Sequence, residues 1–377
     1  MNIMKLILLA ISICFSITTN AKPNDQAINK SLLEWQQEVE QSNFSGNVLA
    51  ILNGQLIYSK SFGLANREKK IPFNENTVFD IGSITKQFTA TAIMKLVEEG
   101  KLSLGDTLDA HFENVPNDKK NITLHHLLTH TSGFTHGFGL YDVVEKYGLI
   151  NEAFDSKLVA KPGDKYHYSN VGYSLLAIII EKETNKSWEE YIDEKILQPA
   201  GLNKTGYKLV KRNESNLAVN YGRDPNAFQR LFGITAASES VGHSLQHQYN
   251  EPGPRWYMEG AGGFLSTIGD MSKWYLALGS EKILSQKSWK TIFTPYITEN
   301  EDKTSYYGYG WAIGTNEAGH KRISHDGSNG YTLADFKFFP DKKVFIFMAT
   351  NNRDDMPNEL INKLELIILD EVVTKGS

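Results

Sequence analysis

Apolar positions Ile28, Leu32, Trp35 and Val39 recur at helical spacing, so residues 25–39 are predicted as an amphipathic helix. The pattern then changes period. Gly46 to Leu52 and Gln55 to Phe62 are strand-like, and Asn53-Gly54 between them is a strong hairpin signal. Past residue 80 the helical period returns. Helices are predicted over Ser83–Glu99, with Ile84, Phe88, Ala92 and Leu96 on one stripe and Gly100 at its end; over Gly172–Thr184; over Trp188–Leu197 behind the capping box Ser187…Glu190; and over Met271–Leu278 after Asp270. Ser238 to Trp256, rich in Gly, Ser, His and Pro, reads as a long loop. From Tyr306 onward strands return: Tyr306–Gly314, Lys321–His325, Tyr331–Phe339 and Val344–Thr350, the last two joined across Pro340-Asp341. Pro357 opens a final helix that buries Leu360, Leu364, Ile367 and Ile368. The simplest assembly is an α/β unit plus an all-α unit. One antiparallel sheet is flanked by the two terminal helices, and a mostly helical domain is inserted into it. The expected boundaries are residues 22–80 with 300–377 for the sheet domain and 81–299 for the helical one, with a site between them.

Composition adds a compartment and removes some functions. Lys5, the apolar run Leu6 to Ile17 and the small residues Thr19-Asn20-Ala21 read as a cleavable export signal over residues 1–21, cut after Ala21, which predicts a periplasmic or secreted protein. The run is too short for a membrane span, as is Val171 to Ile180 further on. Cys14, the one cysteine, leaves with the signal, so neither a disulfide nor thiol chemistry is expected. Loss of Lys5 takes the formal net charge from −5 to −6, with no basic block to attract nucleic acid.

Three short stretches carry candidate chemistry. Ser83 and Lys86 stand three apart at a helix start, so the amine reaches the hydroxyl, and the first-turn N–H groups point where the serine attacks. Gly82 before them suits close backbone packing. Tyr168 and Asn170, in Tyr166-His167-Tyr168-Ser169-Asn170, can both face a pocket from one loop. Ser324-His325-Asp326-Gly327-Ser328 ends a strand, where a glycine lets a ligand approach the backbone. The histidine pairs His126/His130 and His243/His247 have metal-ligand spacing but lack the Glu of H-E-x-x-H, and no metal is expected. No serine lies in a G-x-S-x-G elbow, which disfavours an α/β-hydrolase.

In this order the three stretches resemble the motif set of the serine beta-lactamase and penicillin-binding protein superfamily, in its class C-like branch: S-x-x-K, then Y-x-N, then H-x-G where many members have K-T-G. The resemblance runs from about residue 40 to 350. It includes Leu127-Leu128-Thr129-His130-Thr131-Ser132-Gly133, the Gly260 to Thr267 stretch and Tyr307-Gly308-Tyr309-Gly310-Trp311. It implies a beta-lactamase/transpeptidase-like fold and a hydrolase that forms an acyl-enzyme without a cofactor. Carried over by position, Ser83 is the nucleophile, with Lys86 and Tyr168 its proton-transfer partners. Asn170 holds a substrate carbonyl, His325 and Gly327 line the opposite wall, and the backbone N–H groups of Ser83 and Ser328 form the oxyanion hole. A lysine must lose about three pKa units, about 4 kcal/mol, to serve as base at neutral pH; which of Lys86 and Tyr168 takes the proton stays open.

His325-Asp326-Gly327 also bears on substrate. A mostly neutral imidazole replaces a fixed cation, and Asp326, if it faces the pocket, repels a nearby carboxylate. The expectation is a small ester, a D-amino-acid amide or a peptide as substrate, with weak or no beta-lactamase activity. A class C-type beta-lactamase, a D-Ala-D-Ala carboxypeptidase and a penicillin-binding sensor without turnover are the alternatives.

Overall fold

The computed structural model describes residues 23–137, 145–207, 214–223, 236–244, 249–250 and 253–374; the expected leader, Cys14 and His247 lie outside them. The framework is an antiparallel sheet of eight strands: β1 (Gly46–Leu52), β2 (Gln55–Phe62), β3 (Ile297–Thr298), β4 (Ser305–Tyr307), β5 (Ala312–Thr315), β6 (Lys321–Gly327), β7 (Leu333–Phe339) and β8 (Val344–Thr350). Their order is β3-β4-β5-β6-β7-β8-β1-β2. The first hairpin therefore pairs directly with the last strand, in a register running from Gly46↔Thr350 to Leu52↔Val344. Asn53 and Gly54 turn that hairpin with φ of 51° and 77°, the positive pair a tight two-residue turn demands.

β1 and β8 are buried at every position, because both faces of the sheet are covered. Successive side chains point opposite ways. Val48, Ala50, Leu52, Val344, Ile346 and Met348 join one core with the terminal helices α1 (Pro23–Glu40) and, at the C-terminus, Asn358–Thr374. There Leu32, Trp35 and Val39 meet Ile361, Leu364 and Ile368, and the Trp35 indole N–H donates to Leu360 O at 2.5 Å. Leu49, Ile51, Phe345, Phe347 and Ala349 face the other core, built with the helical region.

Within that region α2 (Thr85–Glu98) is buried almost all round. Its polar residues are tied down: the Thr89 hydroxyl donates to Gly260 O at 2.7 Å, and the Gln87 side chain accepts from the Trp274 indole at 2.7 Å. Beside it lie α3 (Asn170–Thr184) and α4 (Ile268–Ala277), and the C-terminal helix is α5.

The differences from the predicted elements have local causes. The strand expected over Tyr306–Gly314 is two strands, because the backbone turns at Gly310 (φ 79°) and Gly308 packs where a Cβ would stand 2.4 Å from Ile292 O. Helix α4 starts at Ile268 and not at Met271: its N-cap is Thr267, whose side chain accepts from Asp270 N, so Asp270 is the third helical residue. The helix over Trp188–Leu197 is capped by Ser187 and Glu190 as expected but widens to a π-helix over Asp193–Leu197. The described part of the Ser238–Trp256 stretch contains a strand, Glu239–Gly242, paired with Asn220–Gly222.

Candidate active site

Ser83 sits on a 3-10 turn, Gly82–Ile84, that feeds α2. The turn is pressed against the end of β6. A Cβ on Gly82 would stand 2.3 Å from Ser328 N, and one on Gly327 would stand 1.9 Å from Ile81 O and 2.7 Å from Ser83 N. Gly82 also has φ of 48°, a conformation side chains rarely adopt. Two glycines, far apart in sequence, thus bring the backbone around Ser83 N and Ser328 N together at the cleft that Ser83 lines. The Asp80 carboxylate anchors the pair: Oδ1 accepts from Gly82 N at 2.7 Å and Oδ2 from the Asn329 amide at 3.0 Å.

Lys86 is fully buried, at the second residue of α2 and one turn past Ser83. Its Nζ lies 3.2 Å from Ser83 Oγ, 2.7 Å from Asn170 Oδ1 and 2.5 Å from Ala261 O. Burial pushes its pKa well below the ordinary lysine value, against the attraction of the Asp326 charge. A neutral amine has two N–H bonds and one lone pair. Asn170 Oδ1, Ala261 O and Ser83 Oγ all accept from Nζ; loss of the proton toward Ser83 leaves the lone pair facing the serine hydroxyl.

Tyr168 is also fully buried, and its phenol hydrogen-bonds to Ser83. Burial pushes its pKa up, with the bond to Ser83 acting the other way. The ring lies 4.7 Å from Lys86 Nζ and 4.2 Å from the ring of His130. Asn170 opens α3 behind the N-cap Ser169, whose hydroxyl accepts from Gly172 N and donates to Thr135 O.

His325 borders the same cleft, but both of its nitrogens are committed. Nε2 lies 2.9 Å from Tyr307 OH, and Nδ1 lies 2.5 Å from Asp326 O, an acceptor that requires the proton on Nδ1. Burial lowers its pKa to about 4, opposed by the Asp326 charge and assisted by Lys86. The ring is therefore neutral, and both of its nitrogens are engaged within the protein. Asp326 also borders the cleft. It stands opposite Asp335 in the β6–β7 register, and Asp335 shares its face with Lys337, which reaches Glu365 of α5. Strand parity thus turns its side chain to the face opposite His325.

The structure brings Ser83, Lys86, Tyr168, Asn170, His325, Gly327 and Ser328 to one place. It does not bring the histidine pair His126/His130 to a shared ligand: His126 Nδ1 accepts from Thr123 N at 3.2 Å and His130 Nδ1 from Ser169 N at 3.0 Å. Sequence reading missed Ala261 as the lysine's acceptor, although its glycine-flanked stretch was singled out. It also missed Tyr307 and His136; the latter stacks on Tyr168 with ring centroids 5.4 Å apart, and nothing in its spacing marks it. The cleft is about 1030 Å³, lined at one end by Ser83, Tyr168 and Asn170 and elsewhere by Tyr257, Asn220, Tyr331 and Arg353.

A serine hydroxyl held between a buried lysine of lowered pKa and a phenol, with the backbone nitrogens of Ser83 and Ser328 brought near by two glycines, is the equipment of a nucleophilic serine site. The family described as Beta-lactamase matches residues 34–369, and the chain belongs to that family. Among its relatives is penicillin-binding protein 4* of Bacillus subtilis (strain 168), 28% identical over 341 residues, which cover 86% of this chain and 72% of that protein. The putative penicillin-binding protein PbpX of the same organism is 30% identical, covering 76% of this chain and 65% of its own length. The chain spans about half the length of protein flp of Staphylococcus aureus (strain N315), at 30% identity over 61% of this chain. Of solved structures, the octameric penicillin-binding protein homologue from Pyrococcus abyssi superposes with a TM-score of 0.74 at 31% identity, covering 91% of this chain and 77% of that one. A penicillin-binding protein from Bacillus halodurans does so with 0.72 at 26%, covering 90% and 98%. Family and fold together support a serine hydrolase or penicillin-binding function. Among the described residues no helix is long and apolar enough to cross a membrane.

Proposed function

We propose that the protein is a serine hydrolase that works through an acyl-enzyme on Ser83, on small esters or D-amino-acid amides and peptides that carry no free carboxylate beside the scissile bond. The observation that carries this is the setting of Lys86: fully buried, its pKa pushed well down, with Asn170 and Ala261 as acceptors and Nζ 3.2 Å from Ser83 Oγ. In this reading Ser83 Oγ attacks the substrate carbonyl and its proton passes to Lys86. The oxyanion forms against the N–H groups of Ser83 and Ser328. When the intermediate collapses, the C–O or C–N bond breaks and Tyr168, kept protonated by burial, gives its proton to the leaving group and recovers one from Lys86. Water then repeats the sequence on the acyl-enzyme and frees the acid. The leader expected over residues 1–21 supports a place in the periplasm or outside the cell.

The substrate part of the proposal rests on the wall opposite Lys86. Neither nitrogen of His325 is free to hold an anion, and the Asp326 charge lies close enough to act on Lys86. The test is a side-by-side assay of the mature protein with p-nitrophenyl esters, D-amino-acid amides, D-Ala-D-Ala peptides and nitrocefin, with intact-mass detection of the acyl-enzyme. Steady turnover of ester or amide, with label on Ser83, is the expected result. Label on another serine overturns the nucleophile, a stoichiometric burst without turnover makes the protein a sensor, and nitrocefin hydrolysis near the diffusion limit overturns the substrate class.

A further inference from the structure

The far end of the cleft holds a charge that this chemistry leaves unused. Arg353 is the one arginine or lysine among the described lining residues. It follows β8 directly, in a 3-10 turn over Arg353–Asp355, and its N–H donates to Tyr331 O at 2.6 Å. The turn is clamped from several sides. Asp355 takes Arg67 at 3.3 Å, the Arg223 guanidinium and the Asn352 amide at 2.5 Å, while Asp354 accepts from Arg223 N at 3.0 Å. Arg67 in turn lies 4.2 Å over the ring of Tyr221, and its N–H donates to the Tyr221 hydroxyl at 2.6 Å. Asp355 is thus paired with two other arginines, and the Asp354 carboxylate is held by the backbone N–H of Arg223. Among the described residues no carboxylate pairs with the Arg353 guanidinium, which stays exposed on a rigidly held backbone.

We infer that Arg353 is the specificity-determining residue of this cleft, binding a substrate carboxylate that lies several bonds away from the scissile carbonyl. The loop from Ser328 to Tyr331 links the two ends. It begins at a proposed oxyanion donor and ends at the residue whose carbonyl holds the Arg353 backbone, and Asn329 pins it to Asp80 at 3.0 Å. A substrate laid along this loop has its reacting carbonyl at Ser83 and its far end at Arg353. The near end offers an anion no partner, because both nitrogens of His325 are committed. The far end attracts one, because a guanidinium forks onto a carboxylate with two parallel hydrogen bonds. The substrate class is therefore an acyl compound with a distal carboxylate, as in a monoester or monoamide of a dicarboxylic acid or a peptide with a free C-terminus beyond the scissile bond.

This inference rests on the hydrolase reading, so the experiment separates the two. In the first arm kcat/KM is measured for mono-p-nitrophenyl glutarate and p-nitrophenyl butyrate, which differ by the distal carboxylate. The anionic-to-neutral ratio should fall at least tenfold in Arg353→Gln, mainly through KM, and recover in part in Arg353→Lys, which keeps the charge but loses the fork. An equal ratio in wild type and Arg353→Gln overturns the inference. In the second arm, glutaranilic acid and butyranilide are titrated into Ser83→Ala, which has no nucleophile. Tighter binding of the anion that is lost in Ser83→Ala/Arg353→Gln supports the Arg353 site even if the first arm shows no turnover and the hydrolase reading fails. Equal affinities for both anilides overturn it, whatever the esters do.

Discussion

Lys86 and Lys337 are both buried lysines, one on each side of the sheet, and they differ in who their neighbours are. Lys337, on β7, meets the Asp335 carboxylate at 2.8 Å and Glu365 of α5 at 3.6 Å. Burial opposes its charge, but the two acids outweigh burial and its pKa is raised. Lys86 has no carboxylate within hydrogen-bond reach among the described residues, meets a hydroxyl, an amide oxygen and a backbone carbonyl, and is pushed well down. Burial alone does not make a lysine a base; burial without an acid at contact does. The same fold thus holds a lysine that pins a terminal helix to the sheet and a lysine fitted for proton transfer.

The contrast predicts opposite responses to the same substitution. Lys86→Met should cut ester turnover by about a hundredfold to ten-thousandfold, the range for loss of a general base, while circular dichroism still reports a folded chain. Turnover within tenfold of wild type would remove Lys86 from the mechanism. Lys337→Met should do the reverse. It leaves Asp335 and Glu365 uncompensated at a largely buried site and should cost about 3 kcal/mol of stability by denaturant titration, with kcat close to wild type. An unchanged midpoint would mean that the buried ion cluster contributes nothing.

The smallest effect is in the pH dependence of stability. The folded form gives up the Lys86 proton below the ordinary 10.5, so between its lowered pKa and 10.5 the unfolded chain holds more protons and stability rises with pH. Lys337 has a folded pKa above 10.5, so its contribution is complete below 10.5 and is lost as pH climbs through the raised value. Melting curves from pH 7 to 11 should therefore show wild type gaining on Lys86→Met as pH approaches 10.5. The gap to Lys337→Met should close above it. Parallel curves for both variants would refute the assigned directions.

Much of the sheet was legible because its signals are local. Asn53-Gly54 fixes the first hairpin, and the unbroken apolar run Val344 to Met348 marks a strand covered on both faces. The break between β4 and β5 was not legible, since it depends on how close Gly308 comes to Ile292, a contact made only in the assembled fold. Thr267 was overlooked because Asp270 at the third helical position carries the more familiar signal of a helix start. In the site, Ser83, Lys86, Tyr168 and Asn170 could be read from spacing and resemblance. The acceptor Ala261 O and the commitment of both His325 nitrogens could not, because one is a backbone atom 175 residues from Lys86 and the other depends on Tyr307. Alternation along the strand left open which way Asp326 faces, and the β6–β7 register turns its side chain away from His325.

The direct pairing of β1 with β8 sets the order in which the molecule can assemble. The first strand emerges early in synthesis with β2 as its one neighbour, and its other edge waits for a partner that ends at Thr350. Contacts this distant in the chain are slow to form, since a loop of some three hundred residues must close first. Until then an apolar strand edge stands open to other chains, a hazard that grows with concentration. Ser83 and Ser328 are separated by a comparable length of chain. A partly made or truncated chain therefore has the serine and the lysine but not the donor across from them, and activity should appear with the last step of folding and not before.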